Sequence, residues 1–405
     1  MPRMRDSMKP TNPVFTGLPT TIFETMSRLA MAHGAINLGQ GFPDVDGPED
    51  VRRLAADALM QGPNQYPPML GLPELRQAVA ASNKRFYDLD VDWQTEVMVT
   101  SGATEALADT LLALLEPGDE VILIEPLYDC YLPLVRRAGG IPVRLRVTPP
   151  DWRLNLRALE DAFSENTKAI LINNPMNPAG KVFAVEELEA IAQLCLEHGV
   201  YAICDEVYEH LLFDDRKHLP LMAIEGMRER TVRIGSAGKT FSLTGWKVGY
   251  ITAAPKLLDP IAKAHQFVTF TTPPNLQRAV AYGLAKDDGY FAGLRDEMQA
   301  KRDRIVSGLS AIGFDVLPCE GTYFATCDVS PLGIAGDDAD ICRLMVEEAG
   351  VAAVPVSAFY GADAPKNYIR FCFCKQDAVI DAALERLGTW IANRAAAPLA
   401  VAGEA

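Results

Sequence analysis

Two lysines, Lys239 and Lys247, stand close together in the run "GSAGKTFSLTGWKVGY", among Gly, Ser and Thr. A Gly-Lys-Thr suggests a nucleotide loop, in which glycine amides cradle phosphate and the lysine neutralises its charge. That loop needs a Gly where this chain has Arg233, so the spacing excludes it. The second Gly-Lys, Gly180 with Lys181, is followed by Val182 rather than Ser or Thr and fails as well. Some other phosphate chemistry, or none, must explain the run, and most lysines are solvated surface charges. A lysine that is desolvated or near other cations loses its proton more easily, and a neutral amine can form a Schiff base with an aldehyde.

Three other segments carry polar residues just beyond apolar, β-rich runs, where open parallel sheets bind ligands. In "TSGATEAL", Ser101, Gly102, Ala103 and Thr104 open a helix. Small residues there let the backbone approach an anion, although the pattern also reads as a capped turn. In "ILINNPMNPAGKVF", two Asn-Pro steps present Asn174 and Asn177 from a stiff loop, or form a plain turn. In "YAICDEVYEHL", Asp205 ends a strand-like run and Tyr208 follows it. A carboxylate there is costly to bury without a cation or proton donor. Its partner is either a core arginine or the ring nitrogen of a cofactor.

The elements that must position these residues alternate short β-rich runs with helical periods from about residue 96, which predicts a parallel sheet covered by helices. The expected strands are "EVMVTS", "EVILIEP", "IPVRLRV", "KAILINN", "YAICDE", "TVRIGS" and "VGYITA", with helices such as "TEALADTLLALL" and "VEELEAIAQLCLEHG" between them. Long helical stretches then run from about 275 to 312, followed by strand candidates "TYFATC" and "YIRFCFC". The division expected is an N-terminal segment 1–48 packing with the small domain, a large domain 49–295, a small α/β domain 296–395, and a frayed tail 396–405.

Composition bounds the partners. A chain of 405 residues is longer than one compact core usually supports. Its 38 Lys and Arg against 53 Asp and Glu give a formal charge of −15, which argues against nucleic acid and anionic membrane. The eight cysteines include no Cys-x-x-Cys pair, and the nearest two, Cys372 and Cys374, would face one side of a strand. Reduced thiols and no metal site are expected, since His198 near Cys195 lacks a completing pair. The first residues carry positive charge without an apolar run after it, so a cytoplasmic protein is expected.

Taken together, the segments resemble the fold-type-I, pyridoxal-phosphate-dependent aminotransferases of class I/II, over about Ile36 to Lys375. "INLGQGFPD", "EPLYDCY", "NPMNPAGKVF", "CDEVYE", "GKTFSLTGWKVGY" and "YIRFCF" are most similar to the kynurenine, glutamine and methionine transaminase branch. The resemblance implies pyridoxal 5'-phosphate as cofactor, with a large domain carrying a mostly parallel seven-stranded sheet and a smaller α/β domain. It implies that Lys239 forms the Schiff base and carries the proton at Cα, and that Asp205 keeps the pyridine nitrogen protonated so the ring can accept electrons. Tyr208 and Asn177 would meet the ring oxygen, and Tyr128 would stack on the ring. Ala103, Thr104, Ser236 and Lys247 would hold the phosphate, with Tyr66 reaching it from a second subunit of a homodimer.

Arg370 would take the substrate carboxylate through its planar fork, helped by Asn177 and the Gly39 backbone N–H. Phe23 lies near an aromatic pocket position, which hints at neutral, aromatic or sulfur-bearing L-amino acids with a 2-oxo acid as acceptor. The segment "FTTPPN" departs from the branch and is expected on the substrate-facing rim. An alternative on the same cofactor is a cysteine-S-conjugate β-lyase. A cofactor-sensing transcription regulator would need a basic DNA-binding module, which the acid-rich composition argues against.

Overall fold

The structure is a computed structural model and describes residues 8–396. Strand β1 (Ile36–Asn37) precedes seven strands of one sheet: β2 (Val97–Thr100), β3 (Glu120–Glu125), β4 (Ile141–Arg146), β5 (Thr167–Asn173), β6 (Tyr201–Asp205), β7 (Thr231–Ser236) and β8 (Gly249–Ala253). They lie in the order β2-β8-β7-β6-β5-β3-β4. Only β8 runs against the rest, pairing antiparallel with both β2 and β7. The fold is therefore the α/β architecture expected, with all seven sequence-read strands in one sheet.

Its central strands are apolar on both faces because helices cover both. On one side, Ile122, Ile170 and Cys204 pack with Leu188, Ile191 and Cys195 of helix Val185–His198. On the other, Val121, Leu171 and Ile203 pack with Leu107 and Leu111 of helix Ala103–Leu114 and with Ile261 of helix Pro255–Val268. The parallel strands β3, β5, β6 and β7 all end on the same side, and this sends the loops after β5, β6 and β7 to one edge.

A second body follows, with β9 (Asp315–Val316), β10 (Phe324–Asp328), β11 (Val351–Ala352), β12 (Val354–Pro355) and β13 (Tyr368–Cys372). Four of these form an antiparallel sheet in the order β12-β13-β10-β9. The N-terminal segment joins this body: β1 pairs parallel with β11, and Met26 and Ala30 of helix Ile22–His33 share its core with Ile369 and Phe371. The division expected at 295/296 falls inside one continuous helix, Asp288–Ala311. Its first turns meet Phe86 and Phe241, while Met298, Ile305 and Leu309 enter the second core, so the helix serves both bodies. The last helix runs to Ala396, and the tail beyond it lies outside the described residues. Among the described residues no helix is long and apolar enough to cross a membrane.

Candidate active site

A cavity of about 370 Å³ opens at the strand ends of the large sheet and is closed on one side by β13. The sequence-read residues Ala103, Thr104, Tyr128, Asn177, Asp205, Tyr208, Ser236, Lys239, Lys247 and Arg370 all line it, with Phe23. Residues more than two hundred positions apart thus meet around one space.

One end of the cavity is built for an anion. Helix Ala103–Leu114 starts there with no side-chain cap, so its first N–H groups stay open. Gly102 precedes it at φ 82°, and a Cβ there would approach the Lys247 side chain to 3.2 Å. Gly249 lets the strand pass so closely that a Cβ would sit 2.6 Å from the Gly102 carbonyl carbon. Lys247 itself holds a left-handed φ of 54°, a costly choice for lysine that aims its side chain over Gly102. Behind the loop, Glu105 accepts the Ser101 N–H, and Glu105 and Asp109 meet His265 Nδ1 at 3.0 and 3.2 Å. Burial alone would lower the His265 imidazole, but these two hydrogen bonds outweigh it and push it up to about 9. The three ligand atoms lie within 4.8 Å of one another, a metal-like grouping absent from the sequence reading. A protonated His265 already supplies one positive charge there.

At the middle of the cavity stands Asp205, at the end of β6. Tyr131 donates its hydroxyl to Asp205 Oδ2 at 2.6 Å, while Oδ1 has only a long 3.4 Å contact with the Val207 N–H. Burial pushes the carboxyl up, partly opposed by Tyr131. Oδ1 is thus open to a cation from the cavity. Sequence reading missed Tyr131, the first residue of helix Tyr131–Arg137; Tyr128 lies in the turn before it, and the two rings meet edge-on at 5.8 Å.

Lys239 follows β7 in the short helix Ala237–Thr240. Its Nζ donates to the Tyr323 hydroxyl at 2.9 Å and lies 5.7 Å from the Tyr208 ring centre. No carboxylate pairs with it at ion-pair distance among the described residues, and burial lowers its pKa, which favours the neutral amine. Tyr323, another residue unread in the sequence, also donates to the Gly41 carbonyl at 2.7 Å.

The far wall holds Arg370. Its Nη1 donates to Asn177 Oδ1 and its Nη2 to the Gly39 carbonyl, both at 2.7 Å, and its Nε has no partner. The guanidinium lies 3.9 Å from the Phe324 ring centre and 5.2 Å from Phe23. Asn177 is fixed in turn, its N–H donating to Asn173 Oδ1 at 2.8 Å. Asn174 does not enter the cavity; its Oδ1 accepts the Phe183 N–H and holds the loop.

One expectation needs correcting. The Gly39 N–H, read as a carboxylate donor, is committed to Asn37 Oδ1 at 2.9 Å in a local Asn turn, and Gly39 contributes its carbonyl instead. Tyr66, expected to serve a second subunit, is 83% exposed and packs edge-on against Phe270 outside its own chain's cavity. The "FTTPPN" segment lies against the anion loop, with Thr272 buried beside Ser101 and Phe270 on Tyr66.

Comparison with known proteins gives the arrangement a family. Residues 33–387 match the family described as aminotransferase class I and II. The solved structure of N-succinyldiaminopimelate aminotransferase from Mycobacterium tuberculosis superposes with a TM-score of 0.91 at 44% identity, covering 94% of this chain and 100% of that one. Escherichia coli methionine aminotransferase is 41% identical over 91% of this chain and 96% of its own length. Human kynurenine–oxoglutarate transaminase 3 is 38% identical over 92% of this chain and 89% of its own length. The chain belongs to the class I and II aminotransferases, and it is an enzyme of that kind.

Proposed function

We propose that this aminotransferase moves the amino group of a neutral L-amino acid, aromatic or sulfur-bearing, to a 2-oxo acid in two successive half-reactions on pyridoxal 5'-phosphate. The observation that carries the reading is Arg370, fully buried with no carboxylate at ion-pair distance among the described residues. A buried guanidinium without a counter-charge is unfavourable until an anion arrives, and its fork suits a carboxylate.

The donor set fits the cofactor. The open helix start with Lys247 and Ser236 would hold its phosphate, Asp205 Oδ1 its protonated nitrogen, Tyr208 and Asn177 its ring oxygen, and Tyr128 its face. When bound, the group supplies an aldehyde carbon for an amine and a conjugated ring that accepts the electron pair released at Cα. The chain's own residues do the rest. Arg370 binds and orients the substrate carboxylate; Lys239, whose pKa burial lowers, is placed to take and return the proton at Cα. Phe23, Phe42 and Phe324 exclude water from that exchange.

The side-chain preference rests on charge. Besides Lys239, Lys247 and Arg370, the charged residues lining the cavity are Asp205 and Asp129, and an acid disfavours a substrate with a distal carboxylate. The mycobacterial relative's name suggests a succinylated donor with two carboxylates beyond the one at its reacting carbon, which this lining fits less well. The exposed Tyr66 beside Phe270 supports a homodimer in which it reaches the neighbouring copy's phosphate site. A panel of twenty amino acids and N-succinyldiaminopimelate, each with a 2-oxo acid acceptor, tests the reading. Methionine, kynurenine or aromatic donors should lead. Dominant turnover of N-succinyldiaminopimelate would contradict the preference, and ammonia with pyruvate from a single substrate would mark a β-eliminating lyase instead.

A further inference from the structure

β13 carries Arg370 into the cavity, and the chain then continues through Cys372, Phe373, Cys374 and Lys375. Arg370 and Cys372 share a side of the strand because side chains alternate. The sulfurs of Cys372 and Cys374 lie 3.2 Å apart, in contact, and both thiols are free. Cys372 is 0% and Cys374 2% exposed, but Cys374 borders a second cavity of about 510 Å³, lined also by Pro43, Val45, Phe241 and Met298. A small solute in that cavity therefore meets Cys374 without passing through the substrate site.

The pair is also tied to the substrate wall. The Cys372 N–H donates to the Leu38 carbonyl at 2.7 Å and the Phe373 N–H to the Tyr323 carbonyl at 3.0 Å. Lys375 Nζ donates to the Phe42 carbonyl at 2.7 Å, and Arg370 holds the Gly39 carbonyl. One short segment thus fastens the stretch from Leu38 to Phe42 over the cavity. Burial raises both thiols, but the Cys374 hydrogen bond and the Lys375 charge outweigh it at Cys372 and bring that thiol below its ordinary value, while Cys374 is held well above, so the pair gives up its first proton at Cys372.

We propose that Cys372 and Cys374 form a dithiol oxidisable by a small peroxide, and that the resulting disulfide loosens the carboxylate clamp at Arg370 while leaving the cofactor end of the cavity as it is. Cys374, which borders the cavity, passes its proton to the Cys372 thiolate across the 3.2 Å contact and attacks one peroxide oxygen; the O–O bond breaks and hydroxide or alkoxide leaves, taking a proton from solvent, and the Cys372 thiol then displaces the sulfenic oxygen as water. Two electrons and two protons leave the thiols, and the peroxide is reduced by the same two electrons. Bonding distance is about 2.0 Å, so the sulfurs must close up by roughly 1 Å, and the segment tied to Leu38, Gly39 and Phe42 must shift with them.

The test uses the full-length holoenzyme with a small excess of hydrogen peroxide. The wild type should lose the mass of two hydrogens, with the link mapped to the 372–374 peptide and reversed by dithiothreitol. The KM for the amino donor should rise on the order of tenfold, about the effect of one lost charge-assisted hydrogen bond, while the cofactor absorbance stays unchanged. Cys374→Ala and Cys374→Ser should keep normal KM before and after peroxide and form no link at this site. Both thiols remaining alkylatable after treatment, or a link formed with KM unchanged, would overturn the proposal. The kinetic arm rests on the aminotransferase reading above, whereas the mass arm does not, so failure of one is distinguishable from failure of the other.

Discussion

Two arginines are buried in strands of this molecule, and their surroundings are opposite. Arg233 of β7 is 3% exposed; its Nε and Nη2 donate to Glu206 and Glu209, and its Nη1 donates to Asn83 at 2.9 Å. Arg370 of β13 is 0% exposed and meets an amide oxygen and a carbonyl, with no acid in ion-pair range among the described residues. Burial acts to lower both guanidiniums, but the two glutamates hold Arg233 well above its ordinary value while Arg370 stays below. A compensated buried charge belongs to the scaffold; an uncompensated one waits for a ligand. Asp205 falls in the second class, since its carboxylate has a hydroxyl and an amide for company and no cation at ion-pair distance.

The sharpest way to break this contrast is to remove each guanidinium. Arg370→Met should lower kcat/KM by about a hundredfold or more, two charge-assisted hydrogen bonds' worth, with little loss in urea unfolding. Arg233→Met should do the reverse: it strands two buried glutamates, at a cost of roughly 3 to 5 kcal/mol of stability. Equal stability losses in the two variants would erase the distinction. Arg370→Lys keeps the charge and loses the fork, so KM for the amino donor should rise about tenfold with kcat less affected.

A smaller effect tests Asp205. Tyr131→Phe removes the hydroxyl that opposes burial, so the carboxyl should titrate higher and cofactor dissociation should increase about tenfold, with the folded structure retained. Unchanged cofactor retention would make Tyr131 a packing residue only. The smallest effect concerns the anion loop. His265 is raised to about 9 from an ordinary 6.5, so its contribution to stability is complete below about 6.5 and is lost as pH rises through about 9. Thermal unfolding between pH 6 and 10 should show that decline in the wild type and a flatter profile in His265→Gln.

Much of this was readable in the sequence because it is local. Continuous apolar runs bounded by turns gave the seven large-sheet strands, and Lys239, Asp205 and Arg370 each stand in a distinctive short segment at a strand or beside one. What escaped depends on contacts that no local pattern encodes. The Tyr131 hydroxyl meets Asp205 across 74 positions of sequence, and Tyr323 reaches Lys239 across 84. The Gly39 amide was misassigned because a neighbouring Asn side chain competes for it. The division expected at 295/296 falls within helix Asp288–Ala311, whose first turn packs on the large body and whose later turns enter the second core, a handover with no break for local sequence to mark.

We propose that Lys239, rather than Lys247, carries the amine that bonds the cofactor aldehyde. Borohydride reduction of the purified holoenzyme, followed by digestion and mass spectrometry, tests it most directly. The expected result is a cofactor-sized addition on the peptide containing Lys239, absent from Lys247 and from a Lys239→Ala variant. An addition fixed on another lysine, or none on Lys239 in an enzyme that turns over amino acids, would contradict it.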